Sequence, residues 1–146
     1  MMSVVNNIER EQAWNSVERM FAVITFTPDG IVTDANSVFL DAMGYTHDQV
    51  AGQHHRTFCD SKLVESSEYR AFWDALRSGK SQHGTFRRLR KDGSEIFLYA
   101  EYAPLLNEQG QVTKVIKVAQ NVSRVAENLI RQLGMSEKLI GRLMTL

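Results

Sequence analysis

With a single cysteine, Cys59, the chain can close no internal disulfide, and a reducing, cytoplasmic setting is the simple expectation, as a free protein or as the cytoplasmic part of a receptor. Neither sign of charge is in excess: 17 basic residues face 17 acidic ones, so nothing electrostatic drives non-specific binding to DNA or anionic lipid. The apolar runs, such as Met20–Thr27, are far too short to cross a bilayer, and no direct membrane insertion of this segment is expected. Met1–Arg10 lacks the basic start and apolar core of a signal peptide. Also lacking are a Gly-x-Ser-x-Gly elbow, a glycine-rich phosphate loop and a His-Glu-x-x-His helix. Glu65, Glu68 and Asp74 fall on the polar side of a helical stretch, so no catalytic residue is assigned and no enzyme is expected. Prolines number two and apolar residues make up 43%, which excludes a disordered chain and suits one folded domain.

What is present is a helical middle enclosed by turn-punctuated strands. Phe21–Asp34 holds Pro28-Asp29-Gly30, Gly84–Ala100 holds Lys91-Asp92-Gly93, and Ala103–Val118 holds Asn107-Glu-Gln-Gly110. Asp-Gly between β-rich runs predicts a tight hairpin with positive φ at both turn positions. Strands are expected at Ala22–Phe26, Ile31–Thr33, His83–Arg90, Glu95–Ala103 and Val112–Gln120. In the fourth, Ile96, Leu98 and Ala100 alternate with Phe97, Tyr99 and Glu101, the pattern of a half-buried antiparallel strand. The fold class predicted is α+β: a five-stranded antiparallel sheet with helices on one face, plus flanking N- and C-terminal helices.

Among the helices, Ile8–Met20 is amphipathic through Ile8, Ala13, Trp14, Val17 and Met20. A short helix ends at Gly44, with Asp34, Asn36 or Ser37 available as its cap. Thr46 caps a further turn closed by Gly52, and Ser66–Ser78 presents Tyr69, Phe72, Trp73 and Leu76 on one face. Gln53–Val64 has no clear period but gathers His54, His55, Arg56, Phe58, Cys59 and Asp60. From Ser123 to Leu146, Val122, Val125, Leu129, Leu133, Ser136, Ile140 and Leu143 step as a coiled-coil seam does, interrupted by Gly134 and Gly141. The organisation expected is therefore a helix over 1–20 for capping or dimerisation, a domain over 21–122 and a signalling helix over 123–146.

The order of elements, with Pro28-Asp29-Gly30, Asp34-Ala-Asn36, Met43-Gly44-Tyr45 and Gly52, resembles a PAS sensor domain. Arg88-Leu-Arg-Lys-Asp-Gly-Ser-Glu-Ile-Phe and Pro104-Leu-Leu-Asn-Glu-Gln-Gly-Gln-Val resemble the last two hairpins of that family. Gly52-Gln-His-His-Arg56, Tyr69-Arg-Ala-Phe72-Trp73, Leu76-Arg-Ser-Gly79 and Gly84-Thr-Phe-Arg-Arg are similar to the PAS modules of methyl-accepting chemotaxis proteins and aerotaxis receptors. That resemblance implies a sensory module in signal transduction, with FAD as the favoured cofactor and Asn36, His55, Tyr69 and Trp73, with Phe58 beside them, as the residues around it. It implies as partners a second copy, joined through the terminal helices, and the downstream signalling domain of the same receptor. Where the related light-sensing domains place a reactive cysteine directly before an arginine, this chain has His55-Arg56, and Cys59 stands four residues later.

The same residues have plainer readings. Tyr69, Phe72 and Trp73 also suit a helix packed on a sheet. Asn36 also suits a helix cap. His54 or His55 is the alternative as a heme ligand, and no metal site of recognised spacing joins them to Cys59 and Asp60. Arg87, Arg88, Arg90 and Lys91 read as charge that blunts a hairpin edge, and no nucleic-acid motif accompanies them. A ligand-free module whose function is dimerisation or protein interaction stands beside the sensor reading.

Overall fold

The computed structural model describes residues 6–134. Helix α1 (Asn7–Met20) leads into strands β1 (Ala22–Phe26) and β2 (Val32–Ala35). Helices α2 (Ser37–Met43) and α3 (His47–Val50), a 3-10 turn at His55–Phe58, and helices α4 (Ser61–Val64) and α5 (Ser67–Arg77) follow. Strands β3 (Gln82–Leu89), β4 (Glu95–Leu106) and β5 (Val112–Asn121) complete the sheet before helix α6 (Ser123–Leu133). The five strands lie in the order β2-β1-β5-β4-β3, with antiparallel neighbours throughout. This is the α+β architecture expected, and the stretch without a period holds two short helical turns.

The three hairpins close in one way. Gly30, Gly93 and Gly110 donate their N–H to Thr27, Arg90 and Asn107. The N–H groups of Thr27, Arg90 and Asn107 in turn reach Ile31, Ser94 and Gln111. Each loop is thus three residues long and ends in a glycine with φ between 76° and 87°. Positive φ is required of the glycine, a geometry that matches strand twist through a bulge at the loop end. β4 runs three residues past its expected end. Pro104, which has no N–H, is tolerated there because β3 already stops opposite Tyr102 and leaves that edge of β4 unpaired by it.

Strand alternation makes the inner sheet face. Ile24 and Phe26, Val115 and Ala119, Leu98, Ala100 and Tyr102, and Phe86 are all buried and belong to one core with Phe39, Met43, Phe58, Phe72, Trp73 and Leu76 of the helical layer. Arg88 and Lys117 share the inward parity of their strands, and each is only 1% exposed. α5 is held over this face by the cap Ser66, whose hydroxyl accepts from Tyr69 N–H, and by its Tyr69, Phe72, Trp73 and Leu76 stripe.

The outer face carries the chain's exit. Phe97 N–H donates to Ser123 Oγ (2.9 Å) and Val122 N–H donates to Phe97 O (2.8 Å), while Ala126 is fully buried. The start of α6 is therefore fastened to β4. Beyond that anchor Val125 and Leu133 are exposed, and Leu129 is partly so. The helix ends at Leu133 with Gly134 in the left-handed region. Ser136, Ile140 and Leu143 of the expected seam, and Gly141, lie outside the described residues. α1 buries none of its residues, and Ile8 and Met20 on its apolar side are largely exposed.

Candidate functional site

Two adjacent histidines on the segment before the 3-10 turn have opposite fates. His54 caps that turn, its Nδ1 accepting from Arg56 N–H at 3.0 Å. Its ring lies against Gly30, where a Cβ would come within 2.8 Å of Nε2 at a φ of +87°. That glycine is thus needed both for the turn and for the histidine's close approach. His55, by contrast, is fully buried. Its Nδ1 is 2.8 Å from the Tyr69 hydroxyl and its Nε2 is 2.9 Å from the Tyr102 hydroxyl. Phe26, Phe58, Phe72 and Trp73 surround the imidazole with ring centroids 5.4–6.4 Å away.

The strands add positive charge to this centre. Arg88 Nη2 donates to the Tyr102 hydroxyl at 3.2 Å, and its guanidinium lies 5.0 Å from the Phe86 ring centroid. Lys117, paired across the sheet with Tyr102, holds Nζ 5.0 Å from the Tyr102 ring centroid. A guanidinium keeps its proton in any protein environment. Burial pulls the Lys117 amine below its ordinary value. Burial, and then the positive charges of Arg88 and Lys117, hold the His55 imidazole well below its usual value, so it is neutral. Burial also raises the Tyr69 and Cys59 groups, which stay protonated near neutrality.

A neutral imidazole has one donor and one acceptor nitrogen, so the chain Arg88–Tyr102–His55–Tyr69 supports two proton arrangements. In one, Tyr102 donates to Nε2 and Nδ1–H donates to Tyr69. In the other, Nε2–H donates to Tyr102 and Tyr69 donates to Nδ1. One further donor borders the cluster: the indole Nε1–H of Trp73 is buried with no hydrogen-bond partner among the described residues.

Of the other residues marked in the sequence, Asn36 is drawn away from this centre. Its carboxamide oxygen accepts from Phe39 N–H (2.9 Å) and Val23 N–H (3.0 Å), and its nitrogen donates to the carbonyls of Glu18 (3.0 Å) and Phe21 (2.9 Å). The side chain caps α2 and ties it to β1 and the end of α1, which uses its hydrogen-bonding capacity on backbone. Phe58 packs edge-on to Phe39 and Tyr45. Cys59 Sγ lies 3.6 Å from His55 Nδ1, whereas Asp60 turns to Leu63 N–H and Arg87. Among the described residues no three His, Cys, Asp or Glu side chains gather as a metal site. The basic hairpin is also not a uniform edge. Arg87 pairs with Asp60 and Glu95, Arg90 reaches the Ala42 carbonyl, and Arg88 points inward, which corrects its reading as an edge charge.

Arg88, Tyr102 and Lys117 are the site residues that sequence reasoning missed. The signal was strand parity: Phe86 and Arg88, Ala100 and Tyr102, and Val115 and Lys117 are two apart and face one way.

A pH effect follows from His55. Its folded-state value is depressed, so as pH falls below about 6.5, the ordinary histidine value, the unfolded chain takes a proton that the folded one refuses. This contribution to stability is present above that pH and is lost below it, by up to about 1.4 kcal/mol per pH unit. Urea midpoints at pH 7.5 and 5.5 are expected to fall accordingly; an unchanged midpoint would mean that the imidazole is protonated inside the fold.

The PAS domain profile matches residues 20–124. The biofilm dispersion protein BdlA of Pseudomonas aeruginosa is 37% identical over 110 residues, which cover 75% of this chain and 26% of BdlA. The chain thus spans about a quarter of that relative's length. Among solved structures, the PAS domain of a Colwellia psychrerythraea protein superposes with a TM-score of 0.70 at 18% identity, covering 81% of this chain and 99% of that one. A light-oxygen-voltage domain studied with a flavin analogue gives 0.65 at 22% identity, covering 88% and 96%. At these identities the two structures speak for the fold.

Proposed function

This chain belongs to the PAS domain family, and on that premise we propose that it is the sensory module of a chemotaxis-type signalling receptor, reading a small ligand at the His55 cluster and passing its state to α6. The observation that carries this reading is the polar centre itself. A neutral histidine, two tyrosines and two cations are enclosed between α5 and the inner sheet face, where core packing alone calls for apolar side chains. β4 connects the cluster to the output: Tyr102 binds His55, and Phe97, five residues earlier and about 17 Å away, holds the start of α6. β5 carries Lys117 and runs directly into the same helix. A ligand that favours one proton arrangement or one packing of the cluster would shift these strands and the helix fastened to them.

FAD, the cofactor to which the sequence resemblance points, meets a mixed environment. The Trp73 N–H, His55 and Tyr69 offer donors suited to the polar edge of a flavin. The space between those rings is closed: Phe72 and Tyr102 are 4.8 Å apart by centroid, and His55 meets Trp73 at 5.4 Å. A three-ring flavin does not fit between the rings as they stand. Heme fits less well, because both ring nitrogens of His55 are engaged and His54 spends Nδ1 on Arg56. An absorbance spectrum of the purified protein separates these readings. A protein band alone is expected; a flavin band released on heating would keep the sensor and replace the small ligand.

The second reading, a dimerisation module, is favoured by the uncovered apolar side chains Ile8, Met20, Val125 and Leu133 on the terminal helices. In the sensor account these same helices join two copies, in the cytoplasm and beside the receptor's next domain. No helix among the described residues is long and apolar enough to cross a membrane. Removing 124–146 is expected to leave the interior site intact and to abolish dimerisation by sedimentation. A truncated protein that remains dimeric would take the output role away from this helix.

A further inference from the structure

We propose that His54 is an acid-sensitive latch: its neutral imidazole holds the β1–β2 turn over Trp73, and its protonation releases that turn. The latch acts whether or not a ligand occupies the His55 cluster. The contact it makes is tight. Trp73 is 3% exposed, and the turn Pro28-Asp29-Gly30 covers one edge of its ring. A Cβ built on Gly30 would lie 3.3 Å from Cζ2 of the indole and 2.8 Å from His54 Nε2, so no side chain fits between turn and imidazole. Three ties hold the turn down. His55 N–H donates to Gly30 O at 2.8 Å, Ile31 and His54 form an antiparallel bridge, and Arg77 Nη1 reaches Pro28 O at 3.4 Å. The first two are made by the segment whose conformation the His54 side chain fixes as the cap of the 3-10 turn.

This arrangement needs the neutral ring. Nδ1 accepts from Arg56 N–H at 3.0 Å, so it carries no proton, and in a neutral imidazole the proton then sits on Nε2. A second proton has to go to Nδ1, where it confronts the Arg56 N–H, two donors with no acceptor between them. The cap is lost and the ring must turn, with no free space on the Gly30 side. The groups that face the imidazole divide. Burial, Arg56 beside it and Arg77 of α5, itself paired with Asp74, disfavour the cation. Asp29 in the turn favours it, through a carbonyl that hydrogen-bonds the ring and through its carboxylate. Burial and the two guanidinium groups prevail and hold the ring below the ordinary histidine value of about 6.5. The latch is therefore closed above that pH and opens as pH falls through the depressed value.

The test reads the exposure of Trp73. The chain has two tryptophans, so Trp14→Phe on the exposed face of α1 leaves Trp73 as the fluorophore. Acrylamide quenching of the full chain is followed from pH 7.5 to pH 5, with far-UV circular dichroism at each point. Quenching is expected to be weak at pH 7.5 and to rise about threefold or more on acidification while the dichroism holds, the mark of a local opening. His54→Asn keeps a side-chain oxygen for Arg56 N–H but takes up no proton, and it is expected to hold quenching low across the range. Arg77→Gln removes a cation that opposes the imidazolium, and it is expected to move the midpoint of the rise to higher pH. That shift keeps the proposal testable if His54→Asn fails to fold, because a purely structural Arg77 would alter the level of quenching without moving the midpoint. No rise on acidification, a rise that persists in His54→Asn, a midpoint unmoved by Arg77→Gln, or a rise that coincides with loss of the dichroism would overturn the latch.

Discussion

His55→Ala is expected to lower stability by about 3–5 kcal/mol, the range for emptying an aromatic-sized core position. The imidazole is fully buried and touches six aromatic rings. Its loss leaves a void and deprives the buried hydroxyls of Tyr69 and Tyr102 of a partner, each such loss costing about 1–3 kcal/mol if no water replaces it. Against a total stability of about 5–15 kcal/mol for a domain, that brings the protein near the unfolding threshold. The neighbouring substitution is the control. His54 is partly exposed and caps only a short 3-10 turn, so His54→Ala is expected to cost about 1 kcal/mol. Urea unfolding of the two variants measures the contrast. Equal losses would show that the polar cluster does not organise the core.

Lys117→Met is expected to act in the opposite direction. A buried cation with no aspartate or glutamate buried beside it among the described residues is a cost carried by the fold, and replacing such charged groups by an apolar side chain of similar length stabilises by about 1–4 kcal/mol in comparable cases. The pH dependence identifies the cause. The folded Lys117 value is depressed, so the unfolded chain binds the extra proton in the interval below about 10.5. Wild-type stability therefore gains from this group as pH rises through that interval, and the Met variant lacks the gain. The difference between the two proteins should narrow from pH 7 to pH 10. A variant less stable than the wild type at pH 7 would mean that the ammonium is well satisfied where it stands.

The two variants bear on different parts of what the sequence made legible. Strand placement, the hairpin glycines and the caps Asn36, Thr46 and Ser66 could be read because each depends on local chemistry. Alternation, positive φ and a side-chain oxygen facing backbone N–H groups all act within a few residues. Loop length was less legible, because a glycine at the turn serves two-residue and three-residue loops alike, and closure is decided by the flanking pairs Thr27–Ile31, Arg90–Ser94 and Asn107–Gln111.

The site was less legible for the same physical reason. His55, Tyr69 and Trp73 stood out by type and converge in the structure, whereas Asn36, equally marked by type, spends its amide on Glu18, Phe21, Val23 and Phe39. Arg88 was lost among adjacent basic residues. Lys117 and Tyr102 become neighbours only through the register of β4 on β5, fixed by pairing between distant segments.

The central claim is that the His55 cluster and the exit helix form one coupled unit. Hydrogen–deuterium exchange on the full chain, comparing wild type with Tyr102→Phe, tests it most directly. The substitution keeps the ring and removes the hydroxyl that joins Arg88 to His55. The account predicts that amides of Ser123–Leu133, and the Phe97 N–H held by Ser123, change exchange by about fivefold or more, equivalent to about 1 kcal/mol of local opening. Amides of β1 and β2 should keep their wild-type rates. Altered exchange around Tyr102 with an unchanged exit helix would contradict the claim.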